Sequence, residues 1–315
     1  MKTKWTAQNI PSQQGHRVLI TGANSGIGFH TALELARRGA EVILPARTRD
    51  KANAAVAAIH REVPNAQIVP EVLDLADLSS VRAFAGRILT RYPQPSLDLL
   101  INNAGVMAVP QRELTPDGYE RQFATNYLGP FALTALLFRA VKPQPGSRIV
   151  IVSSSASNMG KIDFDNLQSE RRYSPMWGAY AQSKLADSIF AIELQRRLTA
   201  AHSPIIVTAA HPGYAITNLQ TSGPGDMPFY HPMKIAMTVL KPILSHDAHH
   251  GALPTLFAAT DPGATPGGYY GPGGFQELKG LPAPAKIAPA ALSPAVAQRL
   301  WSISEQLTGV HFLQA

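Results

Sequence analysis

The 315-residue sequence contains no cysteine, which excludes disulfides, thiolate nucleophiles and cysteine-ligated metal centres together. It also lacks any run approaching the ~20 consecutive apolar residues that a membrane-crossing helix requires. Its first segment, MKTKWTAQNIPSQQGHR, has no apolar signal-peptide core. A cytoplasmic location with no membrane anchor is the expectation. Charged residues make up only 16% of the chain, yet the formal net charge is +7. The basic residues are scattered, in pairs such as Arg37-Arg38, Arg171-Arg172 and Arg196-Arg197, and no nucleic-acid motif accompanies them. No nucleic-acid partner is expected. A phosphate-bearing small molecule needs only one or two of these cations.

What is present is organised around Trp177–Leu194, WGAYAQSKLADSIFAIEL. Ala181, Leu185, Ile189, Ile192 and Leu194 recur near helical spacing without a proline. Tyr180 and Lys184, four residues apart, then share one helix face. A phenol ordinarily titrates at ~10, and an adjacent ammonium favours its ionised form. The pair is a candidate acid–base device, or a coincidence of a short motif; its company decides.

That company is a repeated alternation of strand and helix. Arg17–Thr21 reads as a strand entering Gly22-Ala23-Asn24-Ser25-Gly26-Ile27-Gly28, and the following helix carries Ala32, Leu33, Leu35 and Ala36 and ends at Gly39. A glycine turn between strand and helix suits a phosphate at the helix start, or is simply a tight turn. Glu41–Leu44 is the second strand, with Arg47 beyond it and a helix from Asp50 to Glu62. No acid stands at that strand end to grip a ribose 2′-hydroxyl. Arg47, with Lys51 one turn on, suits a 2′-phosphate; alternatively both are solvated cations, or Asp50 reaches the ribose in a shifted register.

Further strands are Gln67–Leu73, ending at Asp74, then Leu97–Ile101, Arg148–Val152, Ile205–Ala210 and a last one near Gly268–Tyr270. Val81, Phe84, Ile88 and Leu89 mark a helix, Gly118–Val141 a long one, and Pro294–Leu307 the C-terminal one. Near-continuous apolar strands between helices predict a doubly wound parallel α/β sheet of about seven strands in one domain. Polar residues at strand ends, Asn102-Asn103-Ala104-Gly105, Ser153-Ser154-Ser155 and His211-Pro212-Gly213, lie where such sheets bind ligands.

Thr21-Gly22-(x3)-Gly26-Ile27-Gly28, Asn102–Gly105, Asn126, Ser154, Tyr180-(x3)-Lys184 and Pro212-Gly213 occur in the order and spacing of the short-chain dehydrogenases/reductases, which residues 15–220 resemble. RIVIVSSSAS, KIDFDNLQSERRY and HPG are similar to the retinol dehydrogenase and WW-domain oxidoreductase branch, in a soluble bacterial-type form. The membrane-anchored members carry an apolar N-terminal helix, which is not expected here, and Ile151 stands where an asparagine is frequent. The resemblance implies a hydride transfer between nicotinamide and a carbonyl or alcohol, with Tyr180 as general acid or base. Lys184 lowers the phenol's pKa and binds the nicotinamide ribose, Ser154 donates to the substrate oxygen, and Asn126 holds a relay water. It implies cofactor contacts at Gly22, Asn24, Ser25, Gly26, Ile27, Gly28, Arg47, Lys51, Asp74, Leu75, Asn103, Ala104, Gly105, Tyr180, Lys184, Pro212, Gly213 and Thr217. NADP(H) is favoured over NAD(H). Relatives also pair into homodimers or homotetramers. A catalytically silent dinucleotide sensor or a protochlorophyllide-reductase-like activity is the alternative, and the intact Ser154–Tyr180–Lys184 set discriminates against the sensor.

The expected layout is an arm at 1–15 and a single domain at 16–315, with a substrate lid at about 214–250 and an extension at about 272–315. Phe164, Tyr173, Met176, Trp177, Met227, Phe229, Tyr230 and Met233 suggest a lipophilic substrate. His246, His249 and His250 have helix-face spacing but no clear carboxylate partner, so no metal is expected.

Overall fold

In the computed structural model, which describes residues 4–215 and 245–313, β1 (Arg17–Ile20) leads through the glycine turn into α1 (Gly26–Arg37). The alternation continues with β2 (Glu41–Ala46), α2 (Arg49–Glu62), β3 (Gln67–Val72), α3 (Leu78–Arg91) and β4 (Leu99–Asn102). Next come α4 (Arg121–Phe123), α5 (Gly129–Leu137), β5 (Arg148–Val152), α6 (Ala181–Ala200) and β6 (Ile206–Ala210). The remaining described elements are α7 (Ala248–Thr260), β7 (Tyr269–Pro272), β8 (Pro282–Pro284) and α8 (Pro294–Thr308).

The strands form one sheet in the order β3-β2-β1-β4-β5-β6-β7-β8. All neighbours are parallel except β7 and β8, which pair antiparallel. Seven parallel strands match the sequence expectation. The eighth, Pro-Ala-Pro, was not anticipated, because proline is a poor ladder donor; it fits here as a short edge strand. The order reverses at β1 and β4, which places a crevice at their C-terminal ends.

Alternate strand residues serve opposite faces, as the pleat dictates. Leu19, Leu100 and Ile149 are register partners and share one core with residues of α3, α5, α6 and α8. Val18, Ile20, Ile101 and Val150 share the other with α1, α2 and α7. Ile151 is buried in the first core, so its departure from the frequent asparagine is a packing change. Trp5 and Ile10 of the N-terminal arm are buried in the second.

Three boundaries differ from the sequence reading. The helix expected at Gly118–Val141 begins at Arg121 and passes through a π-helical turn, Ala124–Leu128, between α4 and α5. Another π-helical turn, Pro175–Tyr180, precedes α6. Apolar periodicity does not register such single-turn bulges, although they favour functional positions. The third difference is α7, which had no assignment; Pro254 sits inside it and weakens a helical reading. Buried Arg148 anchors it by donating to Ala258 O at 3.0 Å and Asp261 O at 2.8 Å, where the helix C-terminus favours a cation. The C-terminal extension is likewise packed on the core. Trp301 of α8 lies against Phe131, Phe190 and Phe312, and Arg197 stacks over its ring at 4.1 Å.

Candidate active site

Gly22 and Gly26 hold φ of +68° and +57°, angles that favour glycine. A Cβ on Gly28 would lie 2.4 Å from Asn103 Nδ2 and 2.5 Å from Gly22 O. The turn therefore nests against the strap after β4. Thr21 Oγ1 accepts the N–H groups of Asn103 and Ala104 at 3.0 Å each, and Asn103 Nδ2 donates to Thr21 O at 2.9 Å. Ser25, the residue before α1, makes no side-chain cap on the helix. The first N–H groups of α1 thus face the crevice with a partial positive charge that suits a phosphate.

This turn, the strap and the start of α6 line one cavity of about 480 Å³. Of the residues expected at the site, Gly22, Asn24, Ser25, Gly26, Ile27, Gly28, Arg47, Lys51, Asp74, Leu75, Asn103, Ala104, Gly105, Tyr180, Lys184 and Pro212 line it. Asn126, Ser154 and Gly213 are adjacent in the fold without belonging to its wall. Thr217, with Met227, Phe229, Tyr230 and Met233 and most of the expected lid, lies outside the described residues. At the described ends of the segment expected to form a lid, Tyr214 N donates to Leu278 O at 2.7 Å and His246 N to Tyr214 O at 3.2 Å.

At the catalytic end, Tyr180 closes its π-helical turn and is only 5% exposed. It clusters with Ala156 and Ala181, and Met107 and Met176 pack on that cluster. Lys184 is buried; its Nζ donates to Val152 O at 2.9 Å and to Asp187 Oδ2 at 2.8 Å. Burial alone would push the Lys184 ammonium down, but Asp187 and Tyr180 outweigh it and hold it above its ordinary value. Ser153 Oγ is committed to Lys184 O at 2.7 Å and to Ser188 Oγ at 3.0 Å. Ser154 Oγ instead accepts Ala156 N at 3.2 Å, which leaves its own proton to donate. That difference supports Ser154 over its neighbour. Asn126 is buried in the first π-helical turn. Its Oδ1 accepts Val106 N at 2.7 Å, and its Nδ2 donates to Val106 O and Ser183 Oγ, both at 2.9 Å.

At the far end, Arg47 is exposed just beyond β2 and lines the cavity with Lys51, whereas Asp50 does not. Glu113, another acid on the wall, is paired with Arg121.

Some expectations need correction. Phe164 packs on the main core under Arg299, whose guanidinium lies 4.1 Å from the ring centre. The Tyr173 hydroxyl donates to Val109 O at 2.5 Å and accepts from Gln122 Nε2 at 3.1 Å. Both are held by scaffold contacts, and neither lines the cavity. Asp247 is the carboxylate neighbour that the histidine segment had lacked: its ligand atom and those of His249 and His250 lie within 4.8 Å of one another. Asp247 Oδ1, however, caps α7 by accepting His250 N at 2.8 Å. Sequence reasoning also missed Asp187, though an acid three residues after Lys184 inside a buried helix was a readable signal.

Known proteins resemble this chain in sequence and fold. The family model described as short chain dehydrogenase matches residues 16–226. The chain is 42% identical to retinol dehydrogenase 13 of Homo sapiens over 300 residues, 94% of this chain and 85% of the relative. A crystal structure of a protein from Mycobacterium Paratuberculosis is 42% identical with a TM-score of 0.80, covering 98% of this chain and 99% of that one. A short chain dehydrogenase from Shigella flexneri, solved with NADP, is 26% identical with a TM-score of 0.61, covering 83% of this chain and 98% of the other.

Proposed function

The chain belongs to the short-chain dehydrogenase family, and on that premise we propose that it interconverts a lipophilic carbonyl compound and its alcohol using NADP(H). It is an NAD(P)-dependent oxidoreductase of alcohol and carbonyl groups. The observation that carries the reading is the meeting of Tyr180 and Lys184 with the glycine turn on the wall of one cavity.

The residues fit the cofactor: the cradle excludes any Cβ at Gly28, and the uncapped start of α1 presents donors. The Gly22–Gly28 turn and the Asn103–Gly105 strap would hold the dinucleotide, with Arg47 and Lys51 on the 2′-phosphate. When bound, NADP(H) supplies or removes the hydride. Tyr180 gives its hydroxyl proton to the carbonyl oxygen during reduction and takes it back during oxidation. Ser154 Oγ donates to that oxygen as its charge grows. Lys184 contributes positive charge beside Tyr180 and would bind the nicotinamide ribose. Asn126 fixes the strap at Val106 and orders a relay water. The apolar surroundings of Tyr180, from Ala156, Met107 and Met176, favour a lipophilic substrate.

The test is NADPH consumption with all-trans-retinal, long-chain aldehydes and bulky aryl ketones, alongside small hydrophilic aldehydes. Higher kcat/KM for the lipophilic set supports the reading; preference for the hydrophilic set overturns its substrate class.

A further inference from the structure

A carboxylate inside the site has no place in the mechanism so far. Asp187 stands one turn beyond Lys184 on α6, and both side chains are buried, at 2% and 6% exposure. Its Oδ2 receives the Lys184 ammonium at 2.8 Å, while the same Nζ donates to Val152 O, at the C-terminal end of β5, at 2.9 Å. We propose that Asp187 is a positioning residue: its carboxylate holds Lys184, charged, against the end of β5, where the lysine meets the cavity beside Tyr180. The inference rests on the catalytic reading of Lys184.

The physical case is one of burial. An ammonium removed from water loses its proton readily unless a negative charge faces it. Facing the pair are Tyr180, which closes the π-helical turn before α6, and Tyr127 from the π-helical turn between α4 and α5; β5 contributes a carbonyl. Burial keeps the Tyr127 phenol protonated, and it bonds Ser304 Oγ of α8 at 2.7 Å. Asp187 is therefore the carboxylate that balances the lysine. Burial pushes the Asp187 carboxyl up and the Lys184 ammonium pulls it down; the 2.8 Å contact with that ammonium favours the carboxylate form. Without it, Lys184 would keep its hydrogen bond to Val152 O but lose its counter-charge.

The test requires no substrate. In cofactor-free protein carrying 13C-labelled lysine, the Cε resonance of Lys184 is assigned by its loss in Lys184→Met and followed through pH. In the wild type it should hold its charged position to about the ordinary lysine value of ~10 or above. In Asp187→Asn the midpoint should fall by at least about one unit, a tenfold gain in neutral amine at a given pH. Asp187→Glu, which keeps the charge, should restore the wild-type curve. Asp187→Ser removes the same charge with less bulk and must give the same fall if the asparagine variant does not fold. Equal midpoints in the wild type and the neutral variant overturn the proposal. Turnover adds a second readout: NADPH-driven kcat of the neutral variant should fall on the alkaline side while wild-type kcat holds. A lysine midpoint that falls while turnover survives Tyr180→Phe would sink the catalytic reading but leave the Asp187–Lys184 pairing standing.

Discussion

Asn126 donates its side-chain amide to Ser183 Oγ at 2.9 Å, joining the π-helical turn between α4 and α5 to the first turn of the Tyr180 helix. The same side chain closes a two-way bond with the backbone of Val106. Asn126→Ala strands a donor and an acceptor of Val106, and a lost buried partner costs ~1–3 kcal/mol. Urea unfolding should show a loss of about 2 kcal/mol, and kcat should fall at least about tenfold. Unchanged stability would mean that water replaces the amide without cost.

Gly28 meets the strap at a distance no Cβ can occupy, so Gly28→Ala must push Asn103 or the turn aside. NADPH affinity, followed by its bound-state fluorescence, should fall at least about tenfold while the far-ultraviolet circular dichroism is retained. Wild-type affinity would show that the turn does not carry the cofactor.

Arg47 and Lys51 line the cavity at the end of β2, with no acid on that strand end. A charge-assisted hydrogen bond contributes ~1.5–3 kcal/mol, so Arg47→Ala should reduce the NADPH over NADH preference in kcat/KM by roughly ten- to a hundredfold. A wild-type preference for NADH, or an unchanged ratio in the variant, contradicts the cofactor assignment.

Away from the site, Glu41 receives Arg17 Nη2 and the Tyr92 hydroxyl, both at 2.7 Å. Burial alone would push Glu41 up, but Arg17 and Tyr92 outweigh it and hold it below the usual carboxylate range. Its stabilisation is thus complete above the unfolded value of ~4 and is lost as pH falls through the lower folded value. Glu41→Gln should cost about 1 kcal/mol at neutral pH, with solvent screening discounted, and should flatten the acid side of a stability-versus-pH curve. Parallel curves for both proteins would refute the coupling.

Much of this was legible because the strands are short apolar runs with polar ends. Arg148–Val152 was readable to the residue, and the Gly22–Gly28 turn announced itself between a strand and a helix. What escaped depended on tertiary contact. The bulge that buries Asn126 leaves no periodic trace, and Pro282–Pro284 is a strand only because β7 offers an edge. Phe164 and Tyr173 have the composition of a pocket, yet Arg299 and Gln122 claim them for the scaffold. Asp187 was passed over although its spacing from Lys184 was readable, and the 2.8 Å contact between them makes the pairing plain.

The central claim is that Tyr180, buried beside Ala156 and next to Lys184, is the proton carrier. Tyr180→Phe keeps the ring and its packing but removes the transferable proton. The measurement is NADPH-driven kcat of the purified variant with an accepted carbonyl compound, alongside NADPH affinity. The account predicts a loss of at least ~10²–10⁴ in kcat, with affinity within a few-fold of wild type. Turnover near the wild-type value would remove Tyr180 from the chemistry.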